Sequence, residues 1–276
     1  MTPKRLTLDD VVRLDYEAVA KSLTGFIRDY VSEARAKGAV IGVSGGVDSA
    51  TVLHLLVRAL GSEKVLALIL PDTSVTPAED VEDARSLAER LGVAYKVIDI
   101  RPIVESFVNQ LGSADKRTIG NLRARIRMSI LYYHANSLDY LVAGTGDRSE
   151  ILIGYFTKYG DGGVDFLPIG CLYKSQVRRL ALHLGVPVKI AWKPSSPRLW
   201  PGHLAEDELG MKYDEIDVIL YALFDLGMGV KEAAEATGLS AEKVMRVLEL
   251  YENSKHKRSM PPIPSPEEFV WRFRLP

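Results

Sequence analysis

Apolar positions along the chain repeat with two periods. Val40, Ile41 and Val43 form a short run suited to a buried parallel strand, after which Ala50, Val52, Leu53, Leu56, Val57 and Leu60 recur at the spacing of an amphipathic helix. The alternation continues. Residues 65–70 and 94–98 predict further strands, residues 78–91 a helix opened by acidic Glu79, Asp80 and Glu82, and residues 139–143 a fourth strand. Helices are predicted at residues 15–36, with Val19, Leu23, Phe26, Ile27, Tyr30 and Val31 on one face, and at residues 102–111 and 120–136. This order predicts an α/β fold, a doubly wound parallel sheet flanked by helices.

Beyond the fourth strand the pattern changes. Residues 174–184 read as a helix stopped by Gly185, and residues 193–202, with three prolines and a glycine, cannot be regular and read as a lid. From Asp214 the chain is helical again, Ile216, Val218, Ile219, Leu220, Leu223 and Phe224 packing one helix and Val244, Val247, Leu248 and Tyr251 another. The expected organisation is one domain over residues 1–276, an α/β core at 13–200 and a helical C-terminal part at 203–276.

Polar residues concentrate where the first strand meets its helix. In Ser44-Gly45-Gly46-Val47-Asp48-Ser49 the glycines allow positive φ and close backbone approach, so N–H groups can surround an oxyanion at a helix N-terminus. Asp48 would repel phosphate unless a cation lay between them, and Mg²⁺ is the hard cation that bridges carboxylate to phosphate. No lysine follows the glycines, which excludes a Walker A loop, and the three-glycine Rossmann spacing is absent. A second glycine-bearing polar turn, Gly144 to Glu150, follows the fourth strand and belongs on the same rim of a parallel sheet. If the two strands are neighbours, Asp48 and Glu150 can share a metal. The loop of residues 72–77 stands at another strand's carboxyl end, where open α/β sheets bind ligands, and is expected to move.

Charge and composition narrow the function. With 35 basic and 36 acidic residues there is no bulk electrostatic case for nucleic acid or an anionic membrane. One cysteine, Cys171, excludes an internal disulfide framework and any Cys-x-x-Cys site, and it reads as a small buried residue. No apolar run approaches the ~18 to 20 residues that span a bilayer, and the N-terminus does not read as a signal peptide, so a cytoplasmic protein is expected. Arg123, Arg125 and Arg127 alternate and cannot share one helical face. Residues 230–244 imitate a helix-turn-helix, but Lys243 and Arg246 among acidic residues are far from a basic DNA-binding face. Phe269, Trp271 and Phe273 in the proline-rich tail call for a docking surface on the body or on a second subunit.

Ser-Gly-Gly-Val-Asp-Ser resembles the pyrophosphate loop of the ATP pyrophosphatases, which have an adenine nucleotide alpha hydrolase-like fold. Together with Gly120-Asn121-Leu122-Arg123-Ala124-Arg125-Ile126-Arg127-Met128, the Gly144 to Glu150 turn, the Gly154 to Asp165 segment containing Phe156-Thr157-Lys158-Tyr159-Gly160-Asp161-Gly162-Gly163, and His256-Lys257-Arg258, it resembles ammonia-dependent NAD synthetase from about residue 13 to about 265. The resemblance implies amidation of deamido-NAD through an acyl-adenylate, with release of AMP and pyrophosphate. It places Gly42, Val43, Ser44, Gly45, Gly46, Val47, Asp48, Ser49, Thr145, Lys174 and Ser195 at ATP, Asp48 and Glu150 on Mg²⁺, and Asp48 and Lys174 in catalysis. Arg125, Lys158, Asp165, His256 and Lys257 match deamido-NAD contacts, in a homodimer whose dinucleotide site crosses the interface.

The chemistry suits these residue types. A carboxylate resists ammonia because its oxygen leaves poorly, and adenylation turns that oxygen into part of AMP. Lys174 and Mg²⁺ would neutralise charge developing on the phosphates. The rival readings are a GMP-forming amidating synthetase, which should lack the Lys158 to Asp165 segment, a transfer-RNA thiolation or lysidine ligase, which needs a basic surface, and a non-catalytic nucleotide sensor.

Overall fold

The computed structural model describes residues 5–269 and 273. A parallel sheet of β1 (Gly38–Gly42), β2 (Val65–Ile69), β3 (Ala94–Val97) and β4 (Tyr140–Ala143) runs in the order β3-β2-β1-β4. Side chains alternate across it. Ala39 and Ile41 of β1 join one core cluster, and Val40 joins another on the opposite face. Phe166 adds one residue of parallel pairing beyond β4, bridged to Ala143.

The helices that position the site start with α1 (Leu8–Val12), α2 (Tyr16–Glu33), α3 (Val47–Leu60) and α4 (Ala78–Arg90). α5 (Arg101–Leu111), α6 (Lys116–Leu138), α7 (Arg148–Ile153) and α8 (Lys174–His183) follow. One face of the sheet is covered by α2, α3, α4 and α8 through Ile27, Leu53, Leu87 and Leu180, and the other by α5 and α6 through Val104 and Ile126. Helices thus cover both faces, as the strand and helix alternation predicts. The short α9 (Val188–Ala191) and α10 (Ala205–Leu209) bracket an irregular stretch at the predicted lid.

A third core cluster belongs to the C-terminal helices α11 (Tyr213–Leu220), α12 (Val230–Thr237) and α13 (Ala241–Asn253). Ala233, Val244 and Val247 bury the apolar faces of α12 and α13 there, together with Ile153 of α7, so the helix-turn-helix likeness ends as a packing unit.

Three local expectations change. α6 begins four residues before Gly120 because Asp115 caps it, accepting from the N–H groups of Arg117 and Thr118 at 2.8 and 2.9 Å. Phe26, assigned to the packed face of α2, is 44% exposed. It lies against Tyr30 and Phe166, where the sheet ends. Cys171 is exposed rather than buried, since it lies in the loop before α8 and not among that helix's apolar residues. At the tail, Phe273 is exposed, α14 (Pro266–Phe269) is a single turn, and Trp271 lies outside the described residues.

Candidate active site

The strand order reverses between β1 and β4, and a cavity of about 370 Å³ opens at that switch point, beyond the carboxyl ends of the strands. Its floor is the glycine loop. Val43 N–H still pairs with Leu68 O at 2.8 Å, after which the chain turns through Gly45 at φ +79. A Cβ on Gly45 would stand 2.3 Å from the Asp80 carbonyl oxygen, so both its conformation and its packing exclude a side chain. Gly46, at φ −97, needs no such freedom. It is the N-cap of α3, which no side chain caps, and the first-turn N–H groups are left for an oxyanion. Ser49 is buried and knits the loop, accepting from Ser44 N–H at 3.2 Å and donating to Gly46 O at 3.1 Å, whereas Ser44 is exposed to the cavity.

Beside the loop stands a charge cluster. Lys174 Nζ, fully buried at the start of α8, lies 2.6 Å from Asp48 Oδ2, 2.7 Å from Asp147 Oδ2 and 2.9 Å from Glu150 Oε1. Asp147 caps α7 reciprocally with Glu150: its carboxylate accepts from Glu150 N–H at 2.9 Å, and Asp147 N–H donates to Glu150 Oε2 at 3.3 Å. Burial works against charge on Lys174, but Asp147, Asp48 and Glu150 outweigh it and hold the ammonium pKa well above its ordinary value. Burial pushes the Glu150 carboxyl well above its usual range, Lys174 pulling it down and Asp147 and Asp48 pushing it further up. Three carboxyl groups face one ammonium, a surplus of acidic groups that the raised Asp147 and Glu150 pKa values register.

That surplus fits a divalent cation. Oxygens of Asp48, Asp147 and Glu150 lie within 4.8 Å of one another, and Asp48 Oδ1 is buried with no hydrogen-bond partner among the described residues. All-oxygen, carboxylate-rich donors suit Mg²⁺. Asp147 is the member that sequence reasoning left unassigned. Its signal was available, because Asp147-Arg-Ser-Glu150 has the spacing of a capping box.

The opposite wall comes from α6 and the Gly154 to Asp165 segment. Thr157 Oγ1 donates to Asn121 Oδ1 at 2.8 Å, and Thr157 N–H donates to Asp161 Oδ1 at 2.8 Å. Arg123 and Arg127, one helical turn apart, both point inward. Arg123 Nε donates to Asp72 Oδ2 at 2.6 Å and its Nη1 to Leu199 O at 2.8 Å, while Arg127 Nε donates to Leu70 O at 2.9 Å and the residue lines the cavity. Arg125 is exposed on another face, which answers the question posed by their alternation.

The basic run packs close by. Gly154, at φ +68, comes so near Ser254 that an added Cβ would stand 2.0 Å from the Ser254 Cβ. Lys257 Nζ donates to the carbonyls of Gly154 and Phe156, each at 2.8 Å, and lines the cavity. Lys158 Nζ donates to His256 O at 2.7 Å, and Arg125 Nη2 to Lys158 O at 3.3 Å. Arg125, Lys158 and His256 therefore form one group outside the cavity walls. Asp165 accepts from Tyr132 Oη at 2.9 Å and Val142 N–H at 2.7 Å, and is set at the end of β4 rather than in the cavity.

Residues 193–200 and His203 line a further side of the cavity. Lys193 Nζ reaches Asp80 Oδ1 at 3.0 Å and Asp83 Oδ2 at 2.6 Å, and Arg198 Nε reaches Asp80 Oδ2 at 2.7 Å. Trp200 stacks on His203 with ring centroids 3.4 Å apart, and His203 shares Glu208 Oε2 with Tyr155. Thr145 and Ser195 line the cavity, and Ser195 Oγ is buried with no hydrogen-bond partner among the described residues. The irregular stretch was predicted from its prolines. Its anchors on α4 were not, because charges on an amphipathic helix read as a solvated face.

Comparison with known proteins follows the same lines. The family model described as NAD synthase matches residues 19–261. The chain is 69% identical over 271 residues to an NH(3)-dependent NAD(+) synthetase of Hyperthermus butylicus, covering 98% of each chain. Among solved structures it is similar to an NMN synthetase from Francisella tularensis, with TM-score 0.80 and 35% identity over 91% of this chain and 99% of that one. It is also similar to an NH3-dependent NAD synthetase from Campylobacter jejuni determined in complex with nitrate, with TM-score 0.75 and 32% identity over 91% of this chain and all of the other.

Proposed function

The chain belongs to the NAD synthase family, and from that premise we propose that it amidates the nicotinate carboxylate of deamido-NAD with ammonia, consuming ATP and releasing AMP and pyrophosphate. The observation that carries this reading is the placement of Lys174 among Asp48, Asp147 and Glu150 directly beside the uncapped N-terminus of α3.

The glycine loop and the α3 N-terminus take the β- and γ-phosphates, with Ser44, Thr145 and Ser195 as hydroxyl partners. Lys174 stands against the phosphates as pyrophosphate departs. Asp48 and Glu150 would hold Mg²⁺, which supplies charge neutralisation on the phosphate oxygens when bound. A carboxylate oxygen of the substrate attacks the α-phosphorus, the bond to pyrophosphate breaks, and the resulting acyl-adenylate is then attacked by neutral ammonia. AMP leaves with the former carboxylate oxygen, and the nitrogen sheds a proton. Residues 193–204 exclude water, which protects the adenylate from hydrolysis.

Arg125, Lys158 and His256 form the outer rim, suited to the far half of the dinucleotide. Arg125 of that rim lies on α6, and this helix with its neighbour α5 presents Phe107, Leu111 and Tyr133, which are 44%, 78% and 73% exposed. Apolar exposure on this scale supports a homodimer across that face, with the dinucleotide at the interface. No helix among the described residues is long and apolar enough to cross a membrane.

Similarity to an NMN synthetase makes nicotinate mononucleotide the competing acceptor. The test is pyrophosphate release from Mg²⁺-ATP and ammonium with deamido-NAD, nicotinate mononucleotide or XMP supplied separately. Release with deamido-NAD, accompanied by NAD, supports the proposal. Preference for the mononucleotide or for XMP would replace it.

A further inference from the structure

Asp217 is an acid where the pattern calls for packing. It sits on α11, is fully buried, and lies between Ile216 and Val218, both members of the C-terminal core cluster. Its carboxylate is satisfied by two donors. Ser149 Oγ donates to Oδ1 at 2.5 Å, and Ser175 N–H donates to Oδ2 at 2.8 Å.

Those donors belong to the two segments that build the charge cluster. Ser149 lies in the first turn of α7, directly before Glu150, and Ser175 follows Lys174 in the first turn of α8. The link is double, because Ser149 Oγ also accepts from Lys174 N–H at 2.9 Å. N–H groups in a helix's first turn have no intrahelical partner, so the start of α8 is held from outside. Asp217 fastens it to the start of α7.

We propose that Asp217 is a positioning residue for the reaction: by bridging Ser149 and Ser175 it fixes the Lys174 ammonium against Glu150 and Asp48. The role couples α11, whose Tyr213 ring also stands 5.2 Å from Lys174 Nζ, to the starts of α7 and α8. A carboxylate is required rather than an apolar residue because two donors from separate segments converge on it, and replacing it by alanine would leave buried N–H and O–H groups unpaired. Burial raises the Asp217 carboxyl to about 7, and the hydrogen bonds from Ser149 and Ser175 pull it back down. Misplacement by about 1 Å in such a site costs on the order of a hundredfold in rate.

The proposal rests on the amidation reading, and wild-type turnover with deamido-NAD, Mg²⁺-ATP and ammonium reports on that reading separately. The variants are Asp217→Ala, Asp217→Asn, Ser149→Ala and the Asp217→Ala/Ser149→Ala double variant, each checked for native circular dichroism and cooperative melting. Ser149→Ala leaves Asp217 in place and removes both bonds through Ser149 Oγ, to Asp217 and from Lys174 N–H, and the double-variant cycle separates the Asp217 share. Folded Asp217→Ala and Ser149→Ala are expected to lose roughly ten- to a hundredfold in kcat with KM for ATP changed less than about threefold. Asp217→Asn should recover part of the loss by keeping an acceptor for Ser175. The double variant should be no slower than the slower single one. Unchanged kcat in folded Ser149→Ala, or losses that multiply in the double variant, would overturn the proposal.

Discussion

Lys174 Nζ lies 2.6 Å from Asp48 Oδ2, although 126 positions separate the two residues in the chain. The contact joins the first turn of α3 to the first turn of α8, so one ammonium faces both the phosphate loop and the acidic turn after β4. Lys174→Met keeps the aliphatic volume and removes the charge. It should lower kcat by at least about a hundredfold. Pyrophosphate release under saturating substrates measures this, and a loss below about threefold would show that the lysine only balances charge in the fold.

Gly45→Ala tests the loop itself. The backbone there is left-handed and the new Cβ would press on the Asp80 carbonyl, which belongs to α4 and cannot yield like a side-chain tip. Strain on the order of 1 to 3 kcal/mol is expected, with weaker ATP binding. Thermal melting with and without Mg²⁺-ATP measures both effects. Gly46→Ala, at a conformation open to any residue, should cost less stability.

The lid's hold on α4 predicts uncoupling. Asp80 takes both Lys193 and Arg198, so Asp80→Asn should loosen residues 193–204 and admit water to the adenylate. The ratio of pyrophosphate released to NAD formed should rise above one, and further at low ammonium. A ratio that stays at one would place the barrier to water elsewhere.

The sheet and the phosphate loop were legible because they rest on local signals: period, glycine and the change from strand to helix. The adjacency of β1 and β4, which brings Asp48 to Glu150, was available only as a condition, since spacing along the chain does not state strand order. Asp147 could be read as a cap but not as a member of the charge cluster, because only folding places Lys174 against it. Asp80 and Asp83 look solvated in sequence and are buried by cations from a distant loop. Asp217 was hidden by its neighbours, whose apolar spacing predicts a packed helix and says nothing of an acid within it.

Asp217 also predicts a pH dependence. Its folded pKa of about 7 exceeds the ordinary carboxyl value of about 3.9, so the folded state binds the proton more tightly than the unfolded chain. The stability this contributes is complete below about pH 4 and is lost as pH rises toward and through about 7. Asp217→Asn cannot ionise. Its melting temperature relative to wild type should therefore rise between pH 5 and pH 8, and a constant difference would refute the shift.

The central claim is that a substrate carboxylate becomes an acyl-adenylate in the cavity between β1 and β4. Deamido-NAD carrying ¹⁸O in both nicotinate carboxylate oxygens, turned over with Mg²⁺-ATP and ammonium, tests it most directly. Mass spectrometry should find one ¹⁸O in the phosphate of AMP and one in the amide of NAD. AMP free of label, or ADP formed in its place, would contradict the account.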